Sequence, residues 1–167
     1  LHDLAMAQEA MLARAQPCWT AMVAFAEPLP IAADVLRDAG PIAWAARNSA
    51  KPGRQGPEAW VIQASGAWSA ARLEEDAGYI LPELLACFAR EAAIVLPDPA
   101  AAAAHRWRFA MSSGSDLGAL WNPALALGVC GDWLNGPRVE CAWLSGRQLG
   151  RRMVAAMGAS ASALRQA

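Results

Sequence analysis

The chain has 167 residues, 56% of them hydrophobic and 17% charged, which is enough apolar material to bury a core in a domain of ordinary size. Its 14 basic and 15 acidic residues are mixed along the chain and leave a formal net charge of −1, so no basic stripe offers itself to nucleic acid. A charge, Pro or Gly cuts every apolar run before the about 18 residues that a membrane span needs.

Near-helical spacing of Leu1, Leu4, Gln8, Met11, Leu12 and Ala15 predicts an amphipathic helix over 1–15, ended by Pro17. The segment CWTAMVAFA, 18–26, alternates as a strand with Trp19, Ala21, Val23 and Phe25 on one face. Residues 41–48 and 58–65 predict two more strands. The loop SAKPGRQGP between them, with two Pro and two Gly, joins them as a hairpin.

A helix follows from about Asp76 to Glu91, its stripe formed by Ile80, Leu84, Leu85 and Phe88, with Pro82 near its start where proline is tolerated. Propensity would make a helix of the alanine run at 100–104. Only 104–110 is assigned to a strand here, because Trp107 alternates with Arg106 and Arg108. Both arginines should leave by one face and Trp107 by the other. GALW and ALALGVCGD flank the turn dipeptide Asn122-Pro123 as a further hairpin, and a helix from about Arg138 to Met157 closes the chain. This order predicts an α+β fold around a mostly antiparallel sheet.

Cys18, Cys87, Cys130 and Cys141 are widely spaced and form no CxxC pair. The pattern predicts free thiols in a reduced, cytoplasmic setting, with no zinc site or disulfide framework.

The junction near the end carries the most chemistry. Leu125, Leu127, Val129 and Cys130 make a strand short of polar groups, expected to be covered on both faces. Asp132 stands where that strand ends. In open α/β sheets ligands bind beyond strand ends, where the next helix also aims its unpaired N–H groups. A carboxylate there can accept hydrogen bonds from sugar or ribityl hydroxyls, which suits a flavin. The same residues have a plain structural reading: Asp132 caps a loop, and Gly131, Gly136 and Pro137 shape a turn. Spacing alone leaves both open.

The segment CGDWLNGPRVECAWLSGRQLG, 130–150, resembles the C-terminal flavin-binding motif of renalase-like, flavin-containing amine oxidase-type proteins. Its usual form is Gly-Asp-Trp, a short glycine-rich turn, then Arg-Val-Glu-Gly-Ala, an aromatic residue or Leu, and Leu-Ser-Gly. PIAWAARNSAKPGR, EAWVIQASGAWSAARLEED and AHRWRFA match the same family in order. The similarity thus runs from about Pro17 to Gly150.

The resemblance implies FAD as cofactor and a small-molecule substrate. It implies that Asp132 contacts the ribityl or pyrophosphate region, with Gly131 and Trp133 flanking it. Arg138, Val139 and Glu140 would open the helix facing the flavin's pyrimidine edge, and Ala142, Ser145 and Gly146 would form its small packing face. It further implies a substrate-binding domain over 1–116. Residues 117–167 would be the strand and helix that complete a Rossmann-like FAD-binding domain.

Cys141 departs from the pattern, standing where the family has Gly, and Asn135-Gly136-Pro137 replaces a more glycine-rich turn. The larger departure is that no GxGxxG fingerprint occurs; GSDLG and GRQGPE have neither its spacing nor a preceding strand. The expectation is therefore a C-terminal piece of a longer flavoenzyme, whose N-terminal FAD-binding half lies upstream in cis or in a partner chain.

Arg47, Lys51 and Arg54, beside Asn48, put three cations in eight residues. They form either a solvated loop or an attractor for an anionic substrate such as a dihydronicotinamide dinucleotide, on which renalase-like enzymes are thought to act. Trp107 is a candidate substrate contact, although Trp19, Trp44, Trp60 and Trp107 are all ordinary core residues by type. His2 and His105 have no metal-ligand or triad partners, which fits chemistry carried by a cofactor. Two function classes follow. One is an FAD-dependent oxidoreductase that passes a hydride from its substrate to flavin, with oxygen as acceptor. The other is a truncated, non-catalytic α+β binding or interaction module that no longer holds FAD.

Overall fold

The computed structural model describes residues 5–163. The elements are α1 (Ala5–Leu12), β1 (Ala15–Phe25), β2 (Val35–Ala39), β3 (Ile42–Arg47), β4 (Glu58–Ala64), α2 (Gly66–Ala71), α3 (Ala77–Glu91), β5 (Ala101–Ser112), β6 (Leu120–Asn122), β7 (Leu127–Val129) and α4 (Val139–Ala163). The fold is α+β, with a mostly antiparallel sheet. The chain divides into two compact units, Gln16–Ala110 and Leu1–Ala15 with Met111–Ala167. The N-terminal helix groups with the C-terminal residues.

In the first unit five strands hydrogen-bond in the order β2-β3-β4-β1-β5. The pairs β2/β3, β3/β4 and β4/β1 are antiparallel. Alternation sorts the faces in β1 and β4, and an irregularity between Ile42 and Trp44 lets Ile42 and Ala45 of β3 share the buried face. Trp19, Ala21, Val23 and Phe25 of β1 are buried together with Trp60, Ile62 and Ala64 of β4 and Ile42 and Ala45 of β3. Against them α3 lays Ile80, Leu84, Cys87 and Phe88, with the Phe88 ring 5.2 Å from that of Trp60. Fully burying such a side chain is worth about 1.5–3 kcal/mol, so this stripe fixes the helix on the sheet.

Asp76 caps α3 by accepting from the Gly78 N–H at 2.7 Å, and Ser65 caps α2 by accepting from the Trp68 N–H at 3.3 Å. The end of α2 is tied to β1, where the Trp19 indole N–H donates to the Arg72 carbonyl at 2.9 Å.

Several expectations change. The first helix stops at Leu12 and β1 begins at Ala15, so Pro17 lies in a strand. Proline is tolerated there because the ladder with β4 begins only at Thr20. Leu1, His2 and Leu4 lie outside the described residues. Pro82 is a true interior residue of α3, where it deletes the hydrogen bond to the Gly78 carbonyl. The alanine run is strand from Ala101 onward, not from 104. Two elements were not foreseen, the short α2 and the edge strand β2, which turns back into β3 at Gly40 (φ +56).

In the second unit β6 and β7 form a two-stranded antiparallel hairpin beside α4. Its core is small: Ala119, Leu134, Cys141 and Ser145. The expectation of a strand covered on both faces fails for β7. Leu125 is 54% exposed, Leu127 and Cys130 are also exposed, and β7 has β6 as its one sheet neighbour among the described residues. No described helix is long and apolar enough to cross a membrane.

Candidate functional site

The Asp132 junction is built by short-range hydrogen bonds. After β7 the chain makes a single 3₁₀ turn at Asp132–Leu134. The Asn135 and Gly136 N–H groups both donate to the Asp132 carbonyl, at 2.8 and 2.6 Å. Gly136, at φ +144, then lets the chain enter α4, and the Asn135 side-chain amide donates to the Cys141 carbonyl at 3.1 Å.

Ser145, fully buried on α4, accepts from the Gly131 N–H at 3.0 Å and donates to the Gly118 carbonyl. One hydroxyl thus pins both ends of the β6–β7 hairpin to the helix, using its single proton and a lone pair. Gly131 is extended at φ 165, so its conformation does not call for glycine. Its neighbour does, because a Cβ there would lie 2.8 Å from Cδ1 of the Trp133 ring.

Asp132 is half-buried, with Oδ2 3.5 Å from the Ser112 hydroxyl. Among the described residues no basic side chain pairs with it. Arg138 and Glu140, at the start of α4, are exposed and 3.8 Å apart, and Val139 is 90% exposed.

Cys141, the residue in the family's glycine position, turns inward and is buried, which removes any crowding on the outer side of the helix. The inward face of α4 is therefore Cys141 and Ser145, with Leu149 half-buried one turn on. Ala142, expected on the packing face, is exposed.

A second constellation lies on the sheet face opposite α3. Antiparallel partners share a face, so the register sets Arg37, Trp44, Gln63 and Thr20 in one row and Val35, Ala46, Val61 and Met22 in the next. From β5, His105 and Trp107 join this face with ring centroids 4.4 Å apart. Thr20, Met22, Val61, Gln63, His105 and Trp107 line an open pocket of about 480 Å³. Met22 and Val61 also line an adjoining groove of about 430 Å³ with Asn48, Ala59 and Ala101–Ala103. Both volumes are in the range of small-molecule sites, and an apolar floor with a hydroxyl, an amide and an imidazole at its rim suits a flat ring with a polar edge.

Two of the five expected substrate contacts, Trp107 and Asn48, lie on this face. Arg47 does not. Its guanidinium donates to the Ile31 carbonyl, lies over the Trp60 ring at 5.1 Å, and pairs with Asp34 at 3.2 Å and Glu58 at 3.5 Å. The buried Glu58 carboxylate explains the capture, since it also accepts from the Trp60 indole N–H at 2.7 Å and the Ser49 hydroxyl at 3.2 Å. Lys51 and Arg54 sit exposed in the hairpin loop.

Arg106 and Arg108 leave β5 by the face opposite Trp107, as the alternation predicts. Arg106 donates to the Leu73 carbonyl, and Arg108 makes a two-pronged pair with Glu74 at 2.6 and 2.8 Å. The Arg108 guanidinium holds the Glu74 carboxyl below its ordinary range. Trp107 itself is 53% exposed, so its reading as a core residue fails.

Thr20, Met22 and Gln63 went unremarked in the sequence, although they are the off-phase positions of two well-predicted strands. Among the described residues no group of His, Cys, Asp and Glu is placed to hold a metal ion. No protein-family model matches the chain.

Proposed function

We propose that the chain is the C-terminal part of an FAD-dependent oxidoreductase of the renalase-like kind. On this reading Asp132 and the N-terminus of α4 receive the ribityl end of the cofactor. The open sheet face of the other unit receives a small oxidisable substrate, such as a dihydronicotinamide dinucleotide or an amine.

The observation that carries the reading is the Asp132 junction. A half-buried carboxylate without a cationic partner follows a strand and precedes a helix start, and Ser145 holds its preceding residue in place. These groups fit ribityl hydroxyls, which need fixed acceptors, and a helix N-terminus, which favours developing negative charge. They do not supply a pyrophosphate cradle, and no parallel dinucleotide-binding sheet occurs among the described residues. That part is left to an upstream or partner half. Its absence accords with the large apolar residues that α4 leaves exposed, Val139, Trp143, Val154 and Met157.

Bound flavin would supply the hydride acceptor, to be reoxidised by oxygen. The chain's own residues then have binding roles. The Thr20 hydroxyl and the Gln63 and Asn48 amides orient the substrate's polar edge, while Met22, Val61 and Trp107 exclude water from its ring.

The test compares the 167-residue chain with the protein that includes whatever precedes Leu1 in its reading frame. The longer protein should purify yellow with stoichiometric FAD, and the chain alone should be colourless. A longer protein without flavin would favour the second reading, a non-catalytic binding module built on the self-contained core of the five-stranded sheet.

A further inference from the structure

The two edges of the five-stranded sheet differ. At one end β2 is five residues long, carries Arg37, and is bent by Asp38 at φ +50. Short length, charge and distortion protect an edge from pairing. At the other end β5 runs for 12 residues, with β1 as its one strand neighbour among the described residues. Its arginines are drawn onto Leu73 and Glu74, and on the opposite face Trp107 is 53% and Phe109 84% exposed. A long edge strand whose arginines are both drawn to one face, with large apolar side chains exposed on the other, is a template for another strand.

The order of side chains in β5 specifies which strand. Residues 101–109 read AAAAHRWRF, four alanines, His105, then four large residues. In an antiparallel pair of two copies related by a two-fold axis at His105, residue 105 − n of one faces residue 105 + n of the other. Trp107 then lies over Ala103 of the second copy and Phe109 over Ala101. Arg106 and Arg108 lie over Ala104 and Ala102.

Each of the four large residues 106–109 meets an alanine, His105 meets its own copy, and no two arginines oppose each other. Moving the axis to Trp107 would set Arg106 against Arg108, and moving it to Arg108 would set that residue against itself, like-charge pairs that are destabilising. The space is also present. Ala101–Ala103 border the groove of about 430 Å³ beside Met22 and Val61, on the face from which Trp107 and Phe109 project.

We infer that β5 is a self-pairing edge, through which two copies of the chain join their sheets into one continuous ten-stranded sheet with the axis at His105. The inference does not rest on the flavin reading, and it sets the second copy's Trp107 and Phe109 beside the groove that the proposed function gives to substrate.

Equilibrium sedimentation of the chain and three interface variants, with a cross-linking variant beside them, tests it, far-UV circular dichroism confirming the fold of each. The parent should be a dimer. Ala103→Trp sets Trp against Trp and should weaken the dimer at least about tenfold, and Trp107→Ala should weaken it similarly, tenfold being about 1.4 kcal/mol. The double variant merely exchanges the partners and should recover most of the parent affinity. His105→Cys, in a Cys130→Ser background that removes the exposed native thiol, should give a covalent dimer on mild oxidation. Both target positions are solvent-facing, and the cross-link does not depend on the bulky variants folding. A monomeric parent, a dimer indifferent to both single changes, a double variant weaker than either single, or no cross-link at position 105 would each overturn the inference.

Discussion

Ser145→Ala is the sharpest perturbation of the Asp132 junction. The hydroxyl is fully buried, and its loss leaves two backbone groups without their partner: the Gly131 N–H, which it accepts at 3.0 Å, and the Gly118 carbonyl, to which it donates. Orphaning a buried polar group costs about 1–3 kcal/mol. Gly118 is buried and bears the full cost, whereas Gly131 is half-buried and regains part of its loss from water. The sum is about 2–4 kcal/mol, against a volume change of a single oxygen atom. In a chain of this size each kcal/mol moves the melting temperature by roughly 2–4 °C.

Urea unfolding should show the loss of stability, and amide hydrogen exchange should show where it arises, with Gly131 losing protection while Ile62 in the sheet core keeps it. A destabilisation below about 0.5 kcal/mol, the level of an ordinary surface change, together with unchanged exchange at Gly131, would refute the stapling role of Ser145.

Pro82→Ala should raise the melting temperature, because it restores a hydrogen bond inside α3. The gain should be about 2 kcal/mol after allowing for the freer unfolded chain, and a loss of stability would show that Pro82 is needed where it stands. Native protein near pH 8.5 should expose one rapidly reacting thiol, Cys130, with Cys18, Cys87 and Cys141 reacting only on unfolding. Burial pushes the Cys18 thiol above its ordinary value. Its contribution to stability is therefore complete below the unfolded thiol's pKa and is lost as pH rises toward the folded value. Cys18→Ala should flatten that alkaline decline in a series of urea titrations, and an unchanged slope would contradict the assignment.

What the sequence made legible follows from where periodicity is strong. β1, β4 and α3 are readable because their apolar residues recur at two or at three to four and are buried at those positions, whereas β3 is readable from its apolar run and flanking turns. β2 is not, since Val-Leu-Arg-Asp-Ala is short and has two charged residues among its five, with only the Gly40 turn to mark it. The alanine run misled because alanine's helical preference is a local energy, and pairing beside β1 outweighs it.

At the site, the strand-turn-helix order around Asp132 was legible from its turn residues. The double bond of Ser145 was not, because nothing local to a serine in a helix tells which distant backbone groups it will meet. The partners of Arg47 are not legible for the same reason: Glu58 lies across a hairpin, 11 positions away. β7 was misjudged because an apolar strand expects a cover, and the described residues do not provide one.

The central claim is that Asp132 holds a flavin. Its most direct test is the Asp132→Ala change in the chain combined with an N-terminal FAD-binding half, in cis or as a partner chain, with FAD affinity and apo melting temperature measured on the same preparation. Charge-assisted hydrogen bonds to the cofactor are worth about 1.5–3 kcal/mol, so affinity should fall by roughly one to two powers of ten, while the apo protein melts within a few degrees of the parent. Unchanged FAD affinity with a lower apo melting temperature would contradict the claim and leave Asp132 as a residue that only shapes its turn.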